Sequence, residues 1–400
     1  MSTTSLVVLI GGKRAGELRT GSGGKLTFAY DDRYATPDAM ELSRSLPLSA
    51  REHRDTKIVE AFFWGLLPDN DRILEAWARR YGVSSRSLIG LLSHTGEECP
   101  GAVQVVKPDR VEALSAPGPE EVAWLTHAGQ LSLAGAQPKT ALLRRDGFWG
   151  VPSGRTPTTH ILKPPIADLE GHAENEHACL SLARELGLPA ARSEVCRFED
   201  QVAIVVERFD RVQLSTRIVR LHQEDLCQAL GVHPRQKYES DGGPGAQAAV
   251  ELLRGNSPRA QEDIDTFVGA LVMSHLIGAT DAHATNYALL HGDTDRVRLA
   301  PLYDVASILP YGRYDPRRTR LAMKIGGKSR RRSSRRPGRG KDAQVLLLDE
   351  GRAPPRVRAM KQDIVGLYQR VRDDLREQGL THPILDELGR KLEEHVRSVA

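Results

Sequence analysis

The sequence predicts an α+β fold, on three observations. Residues 5–30 alternate short apolar runs with glycine-rich turns, the punctuation of strands and hairpins. A second set of strand-like runs lies between Leu131 and Val206. The end of the chain carries apolar residues at helical spacing: Val357, Met360, Ile364, Leu367, Val371 and Leu375. With 400 residues and 40% apolar content, there is material for the cores of two or three domains or lobes.

Taken in order, Leu6–Ile10, Gly16–Leu18 and Leu26–Tyr30 are strands separated by glycine pairs. The Gly11-Gly12-Lys13 run is not a P-loop, because G-x-x-x-x-G-K-[ST] is absent and strand periodicity follows it. Thr56–Leu67 and Asp71–Tyr81 take helical spacing, a further helix surrounds Leu88–Leu92, and Gly101–Val106 returns to strand. Pro108 and the Pro/Glu-rich run Ala116–Glu121 place a domain boundary at about residues 107–120.

Leu131–Leu143 reads as strand, small-residue loop, strand. The loop Ala134, Gly135, Ala136, Gln137, Pro138 lets backbone N–H groups approach an anion, and Lys139 adds a cation; an ordinary hairpin has the same composition. Thr159–Lys163 is a strand ending in a lysine that either snorkels at the surface or pairs with nucleotide phosphates. Glu174–Leu186, stopped by Gly187, is an amphipathic helix. Its Glu176 either meets Lys163 or sits solvated at the helix start. His172 and His177 lack the spacing of a zinc pair. The apolar strand Gln201–Val206 ends abruptly at Glu207, Arg208 and Phe209, as a strand does where it leaves one lobe for the next; backbone there suits an adenine ring. Gln223–Leu230 reads as a helix and Lys237–Gly245 as an exposed loop.

The chemistry concentrates further on. Ile264–Ile277 is a buried helix that Gly278 stops. Asp281 follows, then Asn286 five residues later, and two short apolar segments lead to Leu302-Tyr303-Asp304. This is the layout of a protein-kinase-like site. The first Asp takes the proton of an attacking hydroxyl, while the Asn and the second Asp hold Mg²⁺ against the nucleotide phosphates. Turns also favour Asp and Asn, so D-x-x-x-x-N carries weight only with the segments around it.

No segment reaches the ~18 uninterrupted apolar residues of a membrane span. Four scattered cysteines without a C-x-x-C pair predict reduced thiols and a cytoplasmic protein. The net charge of +4 is local in origin: eight Lys/Arg and no acids fall between Lys328 and Lys341, leaving the remaining chain net negative.

Seven segments, in order, resemble the HipA family of serine/threonine-protein kinase toxins from HipA–HipB type modules: Leu133–Leu143, Thr158–Lys163, Val206–Arg211, Gln223–Gln228, Lys237–Gly245, Leu276–Asn286 and Leu302–Asp304. Residues 1–106, with Leu67-Pro-Asp-Asn70 and Gly101-Ala-Val-Gln104, look like the family's N-terminal domain. The resemblance implies a two-lobed kinase-like fold: an N-terminal domain over 1–106, an N-lobe over 120–208 and a helical C-lobe over 209–400. It further implies Asp281 as catalytic base with His283 beside it, and Asn286 and Asp304 as Mg²⁺ ligands. ATP would contact Ala134–Lys139, Lys163, Glu207–Phe209 and Tyr303, and Ser132 would be autophosphorylated. The implied partners are a HipB-like helix-turn-helix antitoxin, operator DNA through the toxin–antitoxin complex, and a protein substrate such as an aminoacyl-tRNA synthetase. Two rivals are a small-molecule phosphotransferase of the same fold and a non-catalytic co-repressor partner of the antitoxin. Residues 328–356 depart from the family pattern; the arginine-rich block there is either a DNA-contacting insertion or a solvated, frame-altered stretch.

Overall fold

The computed structural model describes residues 4–115, 121–125, 139–154, 156–166, 168–199, 201–215, 217–292, 296–312, 320–325, 328–330 and 355–399. Its elements run β1 (Thr4–Ile10), β2 (Lys13–Thr20), β3 (Leu26–Tyr30), β4 (Glu52–His53), α1 (Thr56–Trp64), α2 (Asp71–Tyr81), α3 (Leu88–Thr95), β5 (Val103–Val106), α4 (Val111–Ser115), β6 (Glu121–Trp124), β7 (Thr140–Arg145), β8 (Phe148–Ser153) and β9 (His160–Lys163). There follow α5 (His172–Glu185), β10 (Ser193–Phe198), β11 (Gln201–Glu207), β12 (Arg211–Gln213), β13 (Ile218–Arg220), β14 (Gln223–Asp225), α6 (Leu226–Ala229), α7 (Ala246–Asn256) and α8 (Ala260–Ile277). The last are β15 (Ala288–His291), β16 (Val297–Leu299), β17 (Arg320–Ile325), β18 (Lys328–Arg330), α9 (Pro355–Glu377) and α10 (Ile384–Val399). They form two compact units: Met1–Ile161 with Arg208–Lys237 and Ala288–Arg298, and Leu162–Glu207 with Tyr238–Tyr287 and Leu299–Ala400.

In the first unit a five-stranded sheet runs β4-β3-β2-β1-β5. The unbroken apolar run of β1 follows from burial on both faces. Leu6, Val8 and Ile10 join Leu18, Phe28 and Phe62 in the main core, while Val7 and Leu9 pack with Val106 and Leu114. Helices α1, α2 and α3 begin on the side-chain caps Asp55, Asn70 and Ser87. The helix expected over Gln223–Leu230 is corrected. Gln223–Asp225 pairs antiparallel with β15, and only Leu226–Ala229 turns helical, starting from a capping box between Asp225 and Gln228. Glu98 in this unit accepts from Arg208, Arg211 and Arg220, and Arg208 also grips Asp210 at 2.8 Å. Burial pushes the Glu98 carboxyl up, but the three guanidiniums outweigh it and hold it at about 2.

In the second unit β10 pairs antiparallel with β11, from Ser193↔Val206 to Phe198↔Gln201, and α5 packs on both strands. Helix α8 is buried almost all round from Thr266 to Ile277, which is why its apolar residues form a continuous run rather than a stripe. Of the residues spaced for burial in α9, Met360, Ile364, Val371 and Leu375 are buried and Leu367 is half-buried, while the Val357 side chain lies outside the described residues; in α10 Leu385, Leu388 and Leu392 are buried. Of the basic block, Lys328–Arg330 form β18 beside β17; residues 331–341 lie outside the described residues.

Candidate active site

Helix α8 closes on Gly278, whose left-handed backbone (φ 74°) only glycine adopts cheaply. The chain then folds into a short loop carrying Asp281, His283 and Asn286. The five-residue spacing has a physical reason here: the Asn286 side-chain amide reaches back to donate to the Asp281 carbonyl at 2.7 Å. A carbonyl only accepts, so the NH₂ group must face it, leaving Oδ1 as the acceptor end of Asn286. His283 is buried, with Nδ1 3.0 Å from the Thr285 hydroxyl and Nε2 3.7 Å from Asp281 Oδ1. The Asp281 side chain itself is 72% exposed.

A second cluster stands in the same unit. Lys163 Nζ lies 2.5 Å from Glu176 Oε1 on α5 and 3.0 Å from Asp304 Oδ1. Burial works against the ammonium, but the carboxylates of Asp304 and Glu176 outweigh it and keep Lys163 charged beyond the ordinary lysine range. Glu176 is fully buried, with the Lys163 ammonium as its ion-pair partner.

Asp304 holds a left-handed backbone (φ 58°), a conformation that costs a non-glycine residue on the order of 1 kcal/mol. Its neighbours on both sides hold it there. Before it, Leu302 donates to Pro189 O and accepts from Ala191 N, each at 2.8 Å. After it, Ser307 donates its N–H to Asn175 Oδ1 at 3.1 Å and accepts from Asn175 Nδ2 at 2.7 Å. The Ser307 hydroxyl donates to Ile277 O, and Ile308 N–H to Gly278 O at 3.2 Å, binding this segment to the end of α8. Tyr303 donates to Thr285 O at 2.7 Å, a further tie between the Asp304 segment and the Asp281 loop.

Asp281, His283, Asn286, Lys163, Tyr303 and Asp304 thus fall in one compact unit, linked through their loops. Asp304 and Asn286 offer a carboxylate and an amide oxygen, the hard donors Mg²⁺ takes, and Asn286 is already fixed with its acceptor end available. Lys139 is exposed just before β7, and Ser132 and Ala134–Pro138 lie outside the described residues. Glu207 is exposed at the end of β11 and donates its N–H to Arg192 O at 2.9 Å. Arg208 is buried and holds the fold together: its N–H donates to Thr159 O, and its guanidinium grips Glu98, Asp210 and Cys99 O. Phe209 is half-buried. Sequence reasoning missed Asn175, Ser307 and Tyr238. For Asn175 a signal existed, since Glu174-Asn175-Glu176-His177 is a polar run inside a helix that the structure buries.

The model of the HipA N-terminal domain matches residues 6–106, and that of the HipA-like C-terminal domain residues 131–375. Y4mE of Sinorhizobium fredii, which carries the name of a kinase, is 35% identical over 349 residues, covering 82% of each chain. The serine/threonine-protein kinase toxin HipA of Shewanella oneidensis is 26% identical over 315 residues, covering 71% of this chain and 70% of that one. In structure, the chain superposes on one from the Shewanella oneidensis MR-1 complex of HipA, HipB and operator DNA with a TM-score of 0.77 and 22% identity, covering 98% and 99%. The expected α+β, HipA-like fold is the one found. Two domain models covering most of the sequence, and a relative more than a third identical over most of its length, establish that this chain belongs to the HipA family.

Proposed function

We propose that the chain is an ATP-dependent serine/threonine protein kinase, acting as the toxin of a toxin–antitoxin pair. The observation that carries this is the convergence of Lys163, Glu176 and Asp304 in the unit that also presents the exposed Asp281 carboxylate. Asp281 takes the proton of a substrate hydroxyl as its oxygen bonds to the γ-phosphorus and the bond to the leaving ADP oxygen breaks. Lys163, charged and fixed by two carboxylates, is the cation for the α/β-phosphates. Asn286 and Asp304 are the residues that would hold Mg²⁺, whose charge offsets that of the phosphates. Ala134–Lys139, Glu207–Phe209 and Tyr303 are assigned to ATP, and Ser132 to autophosphorylation, on the family resemblance.

The partners follow the same family grounds: a HipB-like antitoxin, operator DNA through the complex, and a protein substrate such as an aminoacyl-tRNA synthetase, in the cytoplasm. Incubation with [γ-³²P]ATP and cell lysate tests the activity. A labelled protein band that Asp281→Ala abolishes supports it; label confined to small solutes points instead to a small-molecule phosphotransferase, and no transfer refutes the kinase reading.

A further inference from the structure

The Asp281 carboxylate is not symmetric in its surroundings. The Tyr238 hydroxyl donates to Oδ1 at 2.6 Å, and His283 Nε2 lies 3.7 Å from the same oxygen. Oδ2 has no hydrogen-bond partner among the described residues. Tyr238 is itself held in place. Its ring meets His283 edge to face at 5.1 Å and 90°, and its carbonyl accepts from both Asp241 N and Gly243 N at 3.0 Å. The next residue, Glu239, accepts from Lys324 N of β17 at 2.6 Å. A side chain on Gly245 would strike the Glu239 carboxyl, with Cβ only 2.7 Å from it. The loop is therefore built to deliver a phenol to one oxygen of the candidate base.

We infer that Tyr238 is a positioning residue for phosphoryl transfer: it fixes Asp281 through Oδ1 and leaves Oδ2 as the oxygen that receives the substrate proton. A carboxylate held by a charge-assisted hydrogen bond keeps one rotamer, so the proton-accepting lone pair is in place before the substrate arrives. The phenol does not block the base, because the oxygen it occupies is the one also faced by His283.

This rests on the kinase reading, and the test separates the two. Wild type, Tyr238→Phe and Asp281→Ala are compared for transfer from [γ-³²P]ATP, with KM for ATP, Mg·ATP affinity by calorimetry and thermal midpoint measured on each. Phe keeps the ring against His283 and removes only the hydroxyl. The expected result is a fall of about tenfold in kcat, equivalent to about 1.4 kcal/mol in the barrier, with KM for ATP and thermal midpoint unchanged. An unchanged kcat with inactive Asp281→Ala overturns the role of Tyr238 alone. A raised kcat also overturns it, since the phenol would then be obstructing the base. A loss shared by ATP affinity and thermal midpoint overturns it by showing that the hydroxyl only supports the fold. Full transfer by Asp281→Ala overturns the kinase reading itself.

Discussion

Asn175 offers the sharpest test of how the site is assembled. Its side chain is wholly buried and exchanges two hydrogen bonds with the backbone of Ser307, a residue only 2% exposed. Asn175→Ala leaves the Ser307 N–H and C=O buried without partners. Each such group costs roughly 1–3 kcal/mol, and partial relaxation returns some of it, so a net loss of about 3 kcal/mol is expected. The effect reaches function because Ser307 lies three residues after Asp304 and bonds the end of α8 through Ile277 O. Urea denaturation followed by fluorescence gives the stability change, and a Mg·ATP titration gives the affinity. The prediction is a midpoint shift equivalent to about 3 kcal/mol, with ATP affinity lowered in the protein that remains folded. A change below about 0.5 kcal/mol, the range of ordinary surface substitutions, would refute the claim that Asn175 fixes this segment.

Lys163→Met strips the buried Glu176 of its cation, and losing one partner of a buried pair costs about 3–5 kcal/mol; thermal denaturation should show the loss together with abolished ATP binding. Gly278→Ala forces alanine into a left-handed cap at a cost of about 1 kcal/mol, read as a small fall in thermal midpoint with a larger fall in transfer rate. Acid should weaken the fold through its buried histidines. Burial, with Arg184 beside it, holds His177 down at about 4, and burial with His291 beside it holds His222 down at about 3. Because the folded values lie below the ordinary 6.5, the unfolded chain takes up protons first. Stability is then full above about pH 6.5 and declines as pH falls toward 4, by up to about 1.4 kcal/mol per pH unit for each group. Denaturation at pH 7 and 5 checks this, and His222→Gln should flatten the difference.

Much of the fold was legible because its signals are local. Gly278 and Gly379 stop helices where the backbone turns left-handed, and the three-and-four spacing of α9 and α10 marks the residues they bury. The Gln223–Leu230 segment misled because its capping box sits inside it, so the helix starts at Leu226 and the residues before it belong to a strand. The candidate site divides along the same line. Asp281 and Asn286 are readable since their spacing matches the reach of one side chain to one carbonyl. Asn175 meets Ser307 across 132 positions and Tyr238 meets Asp281 across 43, and nothing local in the sequence joins such pairs. Arg208 illustrates the converse: its place after an apolar strand suggests a nucleotide hinge, while its side chain is engaged with Glu98 and Asp210.

The proposed function requires Lys163, Asn286 and Asp304 to serve one Mg·ATP complex facing Asp281. Isothermal titration of ATP in magnesium and in EDTA, on wild type, Asp304→Ala and Asp281→Ala, tests it most directly. Magnesium-dependent uptake is expected of wild type and Asp281→Ala, and none of Asp304→Ala. Equal binding by all three proteins, or binding indifferent to magnesium, would contradict it.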